Sequence, residues 1–336
     1  MMKIQKNLMD GKIIMGRLDK KLTFVVTGGL GFIGSHFVDR VLAEGHRVIN
    51  YDKETYAAHT EIKFKGDYEY IKADIAEIKA IPYCDFIVNF AAESHVDNSI
   101  EESFCFVKSN ILGVYNILEI LKNKKIDSLV SAWEYDYPVF LQISTDEVFG
   151  DIEEGFFKEE AVHTPSNPYS ATKSAAEQLV VSWGRTFDIP FLISRTTNNY
   201  GPRQNSEKLI SRAITDILKG SKVPIHGGGS YVRNWIHVED NVSALLKIID
   251  CGNINESYHI ASDEEYSVKQ IVETICEKMK VEYGKVTDAS MDRSGADVRY
   301  ALNCDKLKNL GWQQKYNLKN SIEETIKYYK TIREEK

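Results

Sequence analysis

Strand-like and helix-like segments alternate along the chain as far as about residue 196, and this alternation restricts the fold more than any other feature. Short apolar runs rich in β-branched residues are each followed by a stretch in which apolar residues recur at helical spacing. Such alternation is typical of a parallel sheet with helices on both faces. The predicted strands are, in order, "KLTFVVTGG", "HRVINYD", "YEYIKAD", "CDFIVNFAA", "YPVFLQIS" and "PFLISRT". We therefore predict an α/β fold built on a Rossmann-type doubly wound parallel sheet.

The pattern loosens after the sixth strand, where polar and glycine-rich loops separate further helical segments. Domains usually contain about 100–200 residues, so a chain of 336 residues is expected to form two lobes. We predict a dinucleotide-binding domain over residues 22–196, with 238–262 returning to it. A smaller, mixed α/β C-terminal substrate domain is predicted from 197–237 and 263–330, and residues 1–20 are interpreted as an extension.

Composition and charge disfavour several classes of function. The 42 basic and 49 acidic residues give a net charge of −7, which argues against nucleic acid as the main partner. The five cysteines are scattered and form no Cys-x-x-Cys pair, so buried thiols are expected rather than disulfides or a metal centre. No apolar run of about 18 residues predicts a membrane span, and the N-terminal "IIM" is too short for a signal peptide. A cytoplasmic protein without a membrane partner is therefore expected.

A glycine-rich loop, "TGGLGFIGSH", joins the first predicted strand to the first predicted helix. Gly28, Gly31 and Gly34 permit a tight turn and let the backbone approach a pyrophosphate at the helix N-terminus. Asp52 follows Gly34 by 18 residues at the end of the second strand, where its carboxylate is placed to accept hydrogen bonds from an adenosine ribose. An acid there repels a 2′-phosphate and favours NAD over NADP, although the adjacent Lys53 could soften that preference. The alternative is a structural glycine turn.

The predicted cofactor contacts lie at the ends of the first four strands and on the first helix. Asp74, which ends the third strand, is placed to reach the adenine or, equally, to cap a helix. The predicted cofactor-binding residues are Gly28, Gly31, Phe32, Ile33, Gly34, Asp52, Lys53, Asp74, Ile75, Ala91, Ala92, Tyr169 and Lys173.

Two further patterns suggest acid–base chemistry. Tyr169 and Lys173 in "NPYSATKSAAE" share one face of a helix, where the ammonium is expected to lower the pKa of the phenol. By itself this spacing is common, and a solvated helix face is the alternative. Thr145, Asp146 and Glu147 follow the fifth strand, although an unpaired buried charge costs several kcal/mol. The two acids either cap the next element or serve a reaction.

Seven motifs carry a resemblance to a known family. They are the glycine loop, "NFAAESHVD", "STDEVFGD", "NPYSATK", "NNYGP", "EKLI" and "RNWIHVED". Together they resemble the extended short-chain dehydrogenase/reductases, and within these the nucleotide-sugar 4,6-dehydratases, including those that act on dTDP-glucose. The resemblance spans about residues 22–330. Its most specific part is Thr-Asp-Glu, because related epimerases and decarboxylases typically lack the Asp-Glu pair.

The resemblance implies a three-step reaction that produces a 4-keto-6-deoxy sugar nucleotide. Tyr169 takes the proton of the sugar 4-hydroxyl while C4 gives hydride to NAD, with Lys173 keeping the phenolate available and Thr145 bonding the 4-oxygen. Glu147 then removes the C5 proton, and Asp146, as the protonated acid, helps the 6-hydroxyl leave as water. Hydride returns to C6, so NAD is not consumed.

The resemblance also implies contacts to a nucleotide-sugar substrate. These residues are Ser94, His95, Asn198, Asn199, Lys208, Leu209, Pro224, His226, Arg233, Asp297 and Arg299. Several positions depart from the dTDP-glucose pattern: His226 replaces a tyrosine that stacks on thymine, and the others are Asn98, Asn205, Ser206, His259, Ser294, Ala296 and Val298. We interpret these changes as clustering at the nucleotide and sugar end, which makes GDP- or UDP-linked N-acetylglucosamine a possible substitute for dTDP-glucose.

Other readings of the same motifs are a nucleotide-sugar 4-epimerase, a decarboxylase, or a non-catalytic NAD-sensing regulator. Asp146 and Glu147 argue against the first two, and Tyr169 and Lys173 against the third. The resemblance further implies a homodimer formed through a four-helix bundle, for which "VKSNILGVYNILEILKN" and "SATKSAAEQLVVSW" are the candidate helices. Their apolar faces could equally belong to the core of one subunit.

Overall fold

The computed structural model describes residues 16–131, 137–289 and 298–334, and it contains two packed α/β regions. The strands are β1 (Thr23–Thr27), β2 (Arg47–Asp52), β3 (Asp67–Lys72), β4 (Phe86–Asn89), β5 (Val139–Thr145), β6 (Phe191–Thr196), β7 (Asn198–Tyr200), β8 (Val223–Pro224), β9 (Val232–His237), β10 (Glu256–Ile260), β11 (Glu265–Ser267) and β12 (Thr287–Asp288). The helices are α1 (Phe32–Ala43), α2 (Val96–Glu101), α3 (Ser103–Phe106), α4 (Gly113–Ser131), α5 (Pro168–Phe187), α6 (Leu209–Lys219), α7 (Val238–Cys251), α8 (Val268–Met279), α9 (Tyr283–Val286), α10 (Asp305–Lys308) and α11 (Leu318–Glu334).

The larger region is a seven-stranded parallel sheet in the order β3-β2-β1-β4-β5-β6-β10. This order confirms the doubly wound sheet, and all six strands predicted from the sequence are present. The direction of strand addition reverses between β1 and β4. In sheets of this kind, the crevice at the carboxyl ends of the strands beside such a reversal is where ligands bind.

Both faces of the central strands are buried, which explains why β1, β4 and β6 are largely apolar, whereas the edge strand β3 is mostly exposed and polar. Along β1, Phe24 and Val26 pack into a core that includes residues of α1 and α7. Val25, between them, points to the opposite face and packs into a core that includes residues of α4 and α5. The alternation of side chains along one strand therefore supplies both cores.

The smaller region contains two short sheets and a core of its own. Strand β9 lies between β7 and β11, and β8 pairs with β12. The core of this region includes Tyr200, Trp235, Ile271 and Leu318, from β7, β9, α8 and α11. Strand β7 begins two residues after β6 ends, so the second region starts directly at the edge of the ligand crevice.

Segments from distant parts of the chain join the larger region, and the predicted domain boundaries stay a prediction. Strand β10 is part of the seven-stranded sheet, and residues of α7 pack into its core. Leu302, Leu307 and Trp312 also pack into that core, although we assigned 263–330 to the substrate domain. In the predicted extension, Arg17 Nη1 and Nη2 donate to Ile249 O and Gly252 O, both at 2.8 Å, near the C-terminus of α7.

One helical segment corrects the expectation about long apolar runs. Residues Ser103–Lys125, which include a π-helical turn between α3 and α4, are long and apolar enough to cross a membrane, with a mean hydropathy of 1.4. Half of that stretch is buried inside the protein, and α4 packs against α5. Core helices of water-soluble proteins meet the same criterion of length and composition.

Candidate active site

A cavity of about 340 Å³ lies at the carboxyl ends of the central strands, at the predicted crevice. All the residues predicted to bind the cofactor and all five predicted catalytic residues line it. Of the predicted substrate contacts, it is lined by Ser94, Asn198, Asn199, Lys208 and Leu209. The fold therefore brings together motifs that lie more than a hundred residues apart in the chain, from Gly28 to Trp235.

The glycine loop forms a close-fitting cradle at one end of this cavity. Gly28 has a φ of +71°, and a Cβ there would lie 2.6 Å from the backbone nitrogen of Ala91. A Cβ on Gly34 would overlap the carbonyl oxygen of Gly28. These positions require glycine, and the resulting approach of backbone to the helix N-terminus fits the pyrophosphate of a dinucleotide.

Asp52 and Lys53, which line the cavity at the end of β2, have defined partners. Asp52 Oδ2 accepts from Leu30 N at 3.0 Å and Oδ1 accepts from Glu54 N at 2.9 Å. Burial raises the pKa of Asp52, against these backbone hydrogen bonds, which lower it. Lys53 Nζ lies 2.8 Å from Glu93 Oε1 and donates to Ser109 Oγ at 2.8 Å. Because Lys53 is paired in this way, its ability to offset the repulsion between Asp52 and a 2′-phosphate is reduced.

Asp74 does not cap a helix, because a turn follows β3, and its predicted contact with the adenine stays a prediction. Its side chain lines the cavity, and its Oδ1 accepts from Ala76 N at 3.0 Å in the turn after β3. Its Oδ2 lies 3.3 Å from Lys108 Nζ. The carboxylate therefore stabilises the local turn and remains at the cavity wall.

Thr145, Asp146 and Glu147 form a tight turn where β5 ends. Thr145 Oγ1 donates to Asp146 Oδ1 at 3.1 Å and accepts from Glu147 N at 3.3 Å. Asp146 is only 2% exposed, and its Oδ2 has no hydrogen-bond partner among the described residues. Burial, and then the negative charge of Glu147, raise the pKa of Asp146 to about 7. A carboxyl with this pKa is partly protonated at neutral pH and can donate a proton.

Helix α5 carries Tyr169 and Lys173 into the same site, and its N-terminus explains their placement. Asn167 and Ser170 form a reciprocal capping box, and Pro168 occupies the first turn. Asn167 Nδ2 also donates to Glu147 Oε2 at 3.3 Å. The residue that starts the helix therefore also holds the acid that follows β5.

The pKa of Tyr169 corrects one expectation from the sequence. Burial and the charge of Glu147 raise the pKa of Tyr169, while a hydrogen bond with Thr145 opposes the shift. The ammonium of Lys173 does not lower it as predicted, because Lys173 Nζ donates instead to Ile143 O at 2.6 Å. Burial lowers the pKa of Lys173 to about 8, against the opposing effect of Glu177.

The arginines predicted to bind phosphate have protein partners outside the cavity lining. Arg299 Nε and Nη2 donate to the two carboxylate oxygens of Glu265 at 2.9 and 3.0 Å. Arg233 Nη1 donates to Val298 O at 3.0 Å, and its guanidinium lies 4.3 Å from the centre of the Tyr300 ring. Phosphate binding by Arg299 would require its pair with Glu265 to open, so this role stays a prediction.

Other predicted substrate contacts among the described residues do not line the cavity. His95 caps α2 by accepting from Asn98 N at 3.3 Å. Pro224 ends β8, and His226 starts a short turn that follows it. Asp297 lies outside the described residues.

We interpreted the positions that depart from the dTDP-glucose pattern as clustering at the nucleotide and sugar end. For His259 this interpretation was wrong. His259 is fully buried on β10, where its ring packs against Phe149 with centroids 5.4 Å apart. Burial and the charge of Arg195 lower the pKa of His259 to about 3, so it is a neutral core residue. Of the other departures, Asn205 lines the cavity, whereas Ser294 and Ala296 lie outside the described residues.

Several cavity residues were not identified from the sequence. Gln204, Glu207 and Trp235 line the cavity from the second region, and Ser109 and Ser144 line it from the first. Trp235 and Glu207 stand inside or beside quoted motifs, but no residue-level pattern distinguished them from neighbours with structural roles. Among the described residues, no group of three or more His, Cys, Asp or Glu side chains could hold a metal ion.

Comparisons with known proteins agree with this geometry. Residues 25–325 match the family described as GDP-mannose 4,6 dehydratase. The low-salt glycan biosynthesis protein Agl12 of Haloferax volcanii is 40% identical over 315 residues, covering 91% of this chain and 97% of that protein. The dTDP-glucose 4,6-dehydratase of Haemophilus influenzae is 37% identical, covering 92% of this chain and 98% of its own. The crystal structure of the dTDP-glucose 4,6-dehydratase DesIV of Streptomyces venezuelae, with NAD bound, superposes with a TM-score of 0.85 at 30% identity, covering 93% and 98% of the two chains.

The raised pKa of Asp146 predicts a pH-dependent effect on stability. Between about pH 4 and pH 7 the unfolded carboxyl is ionised while the buried one keeps its proton, so the wild-type protein loses stability as pH rises. Asp146→Asn removes this loss, so the stability of the variant relative to wild type is expected to be roughly 3 kcal/mol more favourable at pH 8 than at pH 4.5. Thermal unfolding at both pH values measures this. An Asp146→Asn effect that does not change with pH would contradict the raised pKa.

Proposed function

Because this chain belongs to the GDP-mannose 4,6-dehydratase family and is a nucleotide-sugar 4,6-dehydratase, a lyase, we propose that it converts a nucleotide-diphospho-hexose into the 4-keto-6-deoxy product. The net reaction removes one water from the sugar. The observation that carries the proposal is the adjacent acid and base at the end of β5: Asp146 is buried with a pKa raised to about 7, and Glu147 lies beside it. Elimination of water needs a proton donor and a proton acceptor, and this turn supplies both.

The cofactor is NAD, as in the related dehydratase structures that contain it. When bound, NAD supplies a hydride acceptor for C4 and a hydride donor for C6. The glycine cradle fits its pyrophosphate, and Asp52, with Lys53 held by Glu93, favours an unphosphorylated ribose.

The residues around the sugar have distinct roles in this proposal. Tyr169 takes the proton of the 4-hydroxyl, and Thr145, which is hydrogen-bonded to Tyr169, holds the 4-oxygen. Lys173, anchored on Ile143 O, holds its ammonium near the site. Because burial and Glu147 raise the pKa of Tyr169, we expect the oxidation step to become faster as pH rises.

The elimination step belongs to the acid pair. With a ketone at C4, the C5 proton becomes acidic, and Glu147 removes it. Asp146 gives its proton to the 6-hydroxyl, so that the C6–oxygen bond breaks and water leaves. Glu147 then returns a proton to C5 as C6 is reduced. Asn167, which donates to Glu147 Oε2, positions the base for both transfers.

We propose a dTDP-glucose-type hexose nucleotide as the first candidate substrate. Support comes from the relatives that are named dTDP-glucose 4,6-dehydratases and are 33–37% identical to this chain. The second candidate is a GDP- or UDP-linked N-acetylglucosamine. His226 favours a base other than thymine, because it stands where the dTDP-glucose pattern has a tyrosine that stacks on thymine.

We further propose a homodimer that forms through the surface of α2, α3 and the π-helical and α4 segment. Four large apolar side chains are exposed there: Ile100 (63%), Phe104 (69%), Leu112 (44%) and Tyr115 (44%). A patch of this kind on one face is typical of a protein–protein interface.

Activated sugars and NAD are cytoplasmic metabolites, which supports a cytoplasmic location.

A substrate panel tests the reaction itself. The purified protein, supplied with NAD, is incubated with dTDP-glucose, UDP-N-acetylglucosamine, GDP-mannose and CDP-glucose. Mass spectrometry is expected to detect the loss of one water from at least one of them, with dTDP-glucose the first expectation. Conversion without a change in mass would instead identify an epimerase. In a parallel incubation with UDP-glucuronate, loss of carbon dioxide would identify a decarboxylase.

Two isosteric variants test the roles of the acid pair. Glu147→Gln should abolish exchange of the C5 hydrogen with deuterium from solvent, because no base remains at C5. Asp146→Asn should keep C4 oxidation but slow the loss of water by about a hundredfold or more. The control is Glu44→Gln, a change on the surface far from the site. C5 exchange at the wild-type rate in Glu147→Gln would contradict the assignment.

Leu112→Arg combined with Tyr115→Arg tests the dimer. Burying two unpaired cations in the interface costs several kcal/mol, so the variant is expected to be monomeric by light scattering at concentrations where the wild type is dimeric. Val162→Arg, at an exposed apolar side chain elsewhere, serves as the matched control. A wild-type protein that is monomeric at all concentrations would refute the proposal.

A further inference from the structure

Four residues that line the cavity each have a buried polar side-chain atom without a hydrogen-bond partner among the described residues. These atoms are Ser144 Oγ, Asp146 Oδ2, Gln204 Oε1 and Trp235 Nε1. Leaving a buried donor or acceptor unpaired costs about 1–3 kcal/mol, so such atoms at a cavity wall point to a ligand that pairs them. Asp146 acts in the proposed reaction. Gln204 and Trp235 have no role in it and belong to the second region.

Trp235 is held so that its ring nitrogen cannot turn to solvent. It lies on β9 opposite Asn198 of β7, is 4% exposed, and packs in the core of the second region. The other tryptophans whose placement is described both use their ring nitrogens: Trp183 Nε1 donates to Glu119 Oε1 at 3.0 Å, and Trp312 Nε1 donates to Ser243 Oγ at 2.9 Å. Trp235 is therefore the exception, and it is the one that lines the cavity.

Gln204 presents an acceptor from the same region. Its Nε2 donates to Asn199 O at 2.7 Å, which fixes the plane of the amide. The backbone carbonyl oxygen of Gln204 accepts from the Tyr329 hydroxyl. The residue is 8% exposed. With the NH₂ end anchored to β7 and the backbone anchored to α11, the side-chain oxygen is left unpaired at the cavity.

We propose that Trp235 Nε1 and Gln204 Oε1 form a donor–acceptor subsite for the hydroxyl groups of the hexose. This inference rests on the proposed function. A hydroxyl both donates and accepts, so it satisfies an N–H donor and a carbonyl acceptor, whereas a diphosphate would be repelled by the amide oxygen. Neither group is charged, and neither can transfer the protons of the reaction. They are specificity residues that recognise the sugar rather than the nucleotide.

The subsite has a consequence for selectivity. A site whose buried groups must be hydrogen-bonded rejects a substrate that lacks the matching hydroxyl, because the protein group is then left unpaired. A deoxy-hexose nucleotide is therefore expected to bind less tightly than the intact hexose nucleotide. This discrimination should be lost when the ring nitrogen is removed from the protein.

Trp235→Phe tests the inference, because it removes the N–H while keeping an aromatic ring in the core. Calorimetry compares dTDP-glucose with dTDP, or the corresponding UDP or GDP pair if the panel identifies that base. The variant is expected to bind the hexose nucleotide about tenfold more weakly and the sugar-free diphosphate as the wild type does. Trp312→Phe is the matched control, since its N–H is already paired inside the protein.

The possible results separate the two proposals. Unchanged dTDP binding by Trp235→Phe shows that the variant is folded, so a loss confined to the hexose nucleotide supports the sugar subsite. An equal loss with both ligands, or no loss with either, overturns it. If the unmodified protein removes water from none of the hexose nucleotides in the panel, the proposed function fails instead.

Discussion

The burial of the Asp146 carboxyl beside Glu147 is the interaction on which the rest of the site depends. Two neighbouring carboxylates at the end of a buried strand repel each other, and Asp146 Oδ2 has no hydrogen-bond partner among the described residues. The system lowers its free energy by keeping a proton on Asp146. Burying the two carboxyls together costs stability, but it places a proton donor, Asp146, next to a proton acceptor, Glu147. An elimination reaction needs both.

The surrounding fold holds this turn from several directions. Asn167 starts α5 and bonds Glu147, so the base and the helix that carries Tyr169 and Lys173 move together. Beneath the turn, the ring of Phe149 packs against the guanidinium of Arg195 at 4.9 Å. Arg195 in turn is paired with Glu177 of α5, with Nη2 at 2.8 Å from Oε2. The acid pair is therefore positioned by the sheet and by the helix at once.

The sequence was sufficient for the features that depend on local pattern. The six strands through Phe191–Thr196 were predicted because parallel strands buried on both faces read as apolar runs between glycines and helices. The glycine cradle was predicted because only glycine allows the conformation of Gly28 and the contact at Gly34. The five proposed catalytic residues were predicted from the family resemblance of their motifs, and the structure places all five around one cavity.

The features that depend on tertiary packing were not accessible in the same way. The pKa of Tyr169 is governed by burial and by Glu147, which lies 22 positions away in the chain, and not by the lysine one turn along the helix. Arg299 finds a carboxylate partner, Glu265, that no spacing rule indicates. Trp235 is distinguished by a ring nitrogen that has no hydrogen-bond partner among the described residues. This is a property of the folded protein that the sequence does not reveal.

The central claim concerns the proton on Asp146, and carbon-13 NMR of protein labelled at the aspartate carboxyl carbons measures it directly. The Asp146 resonance is assigned by its absence in Asp146→Asn. The account predicts a titration midpoint near pH 7 for this carboxyl. A midpoint near pH 4, the ordinary value for an aspartate in water, would contradict it.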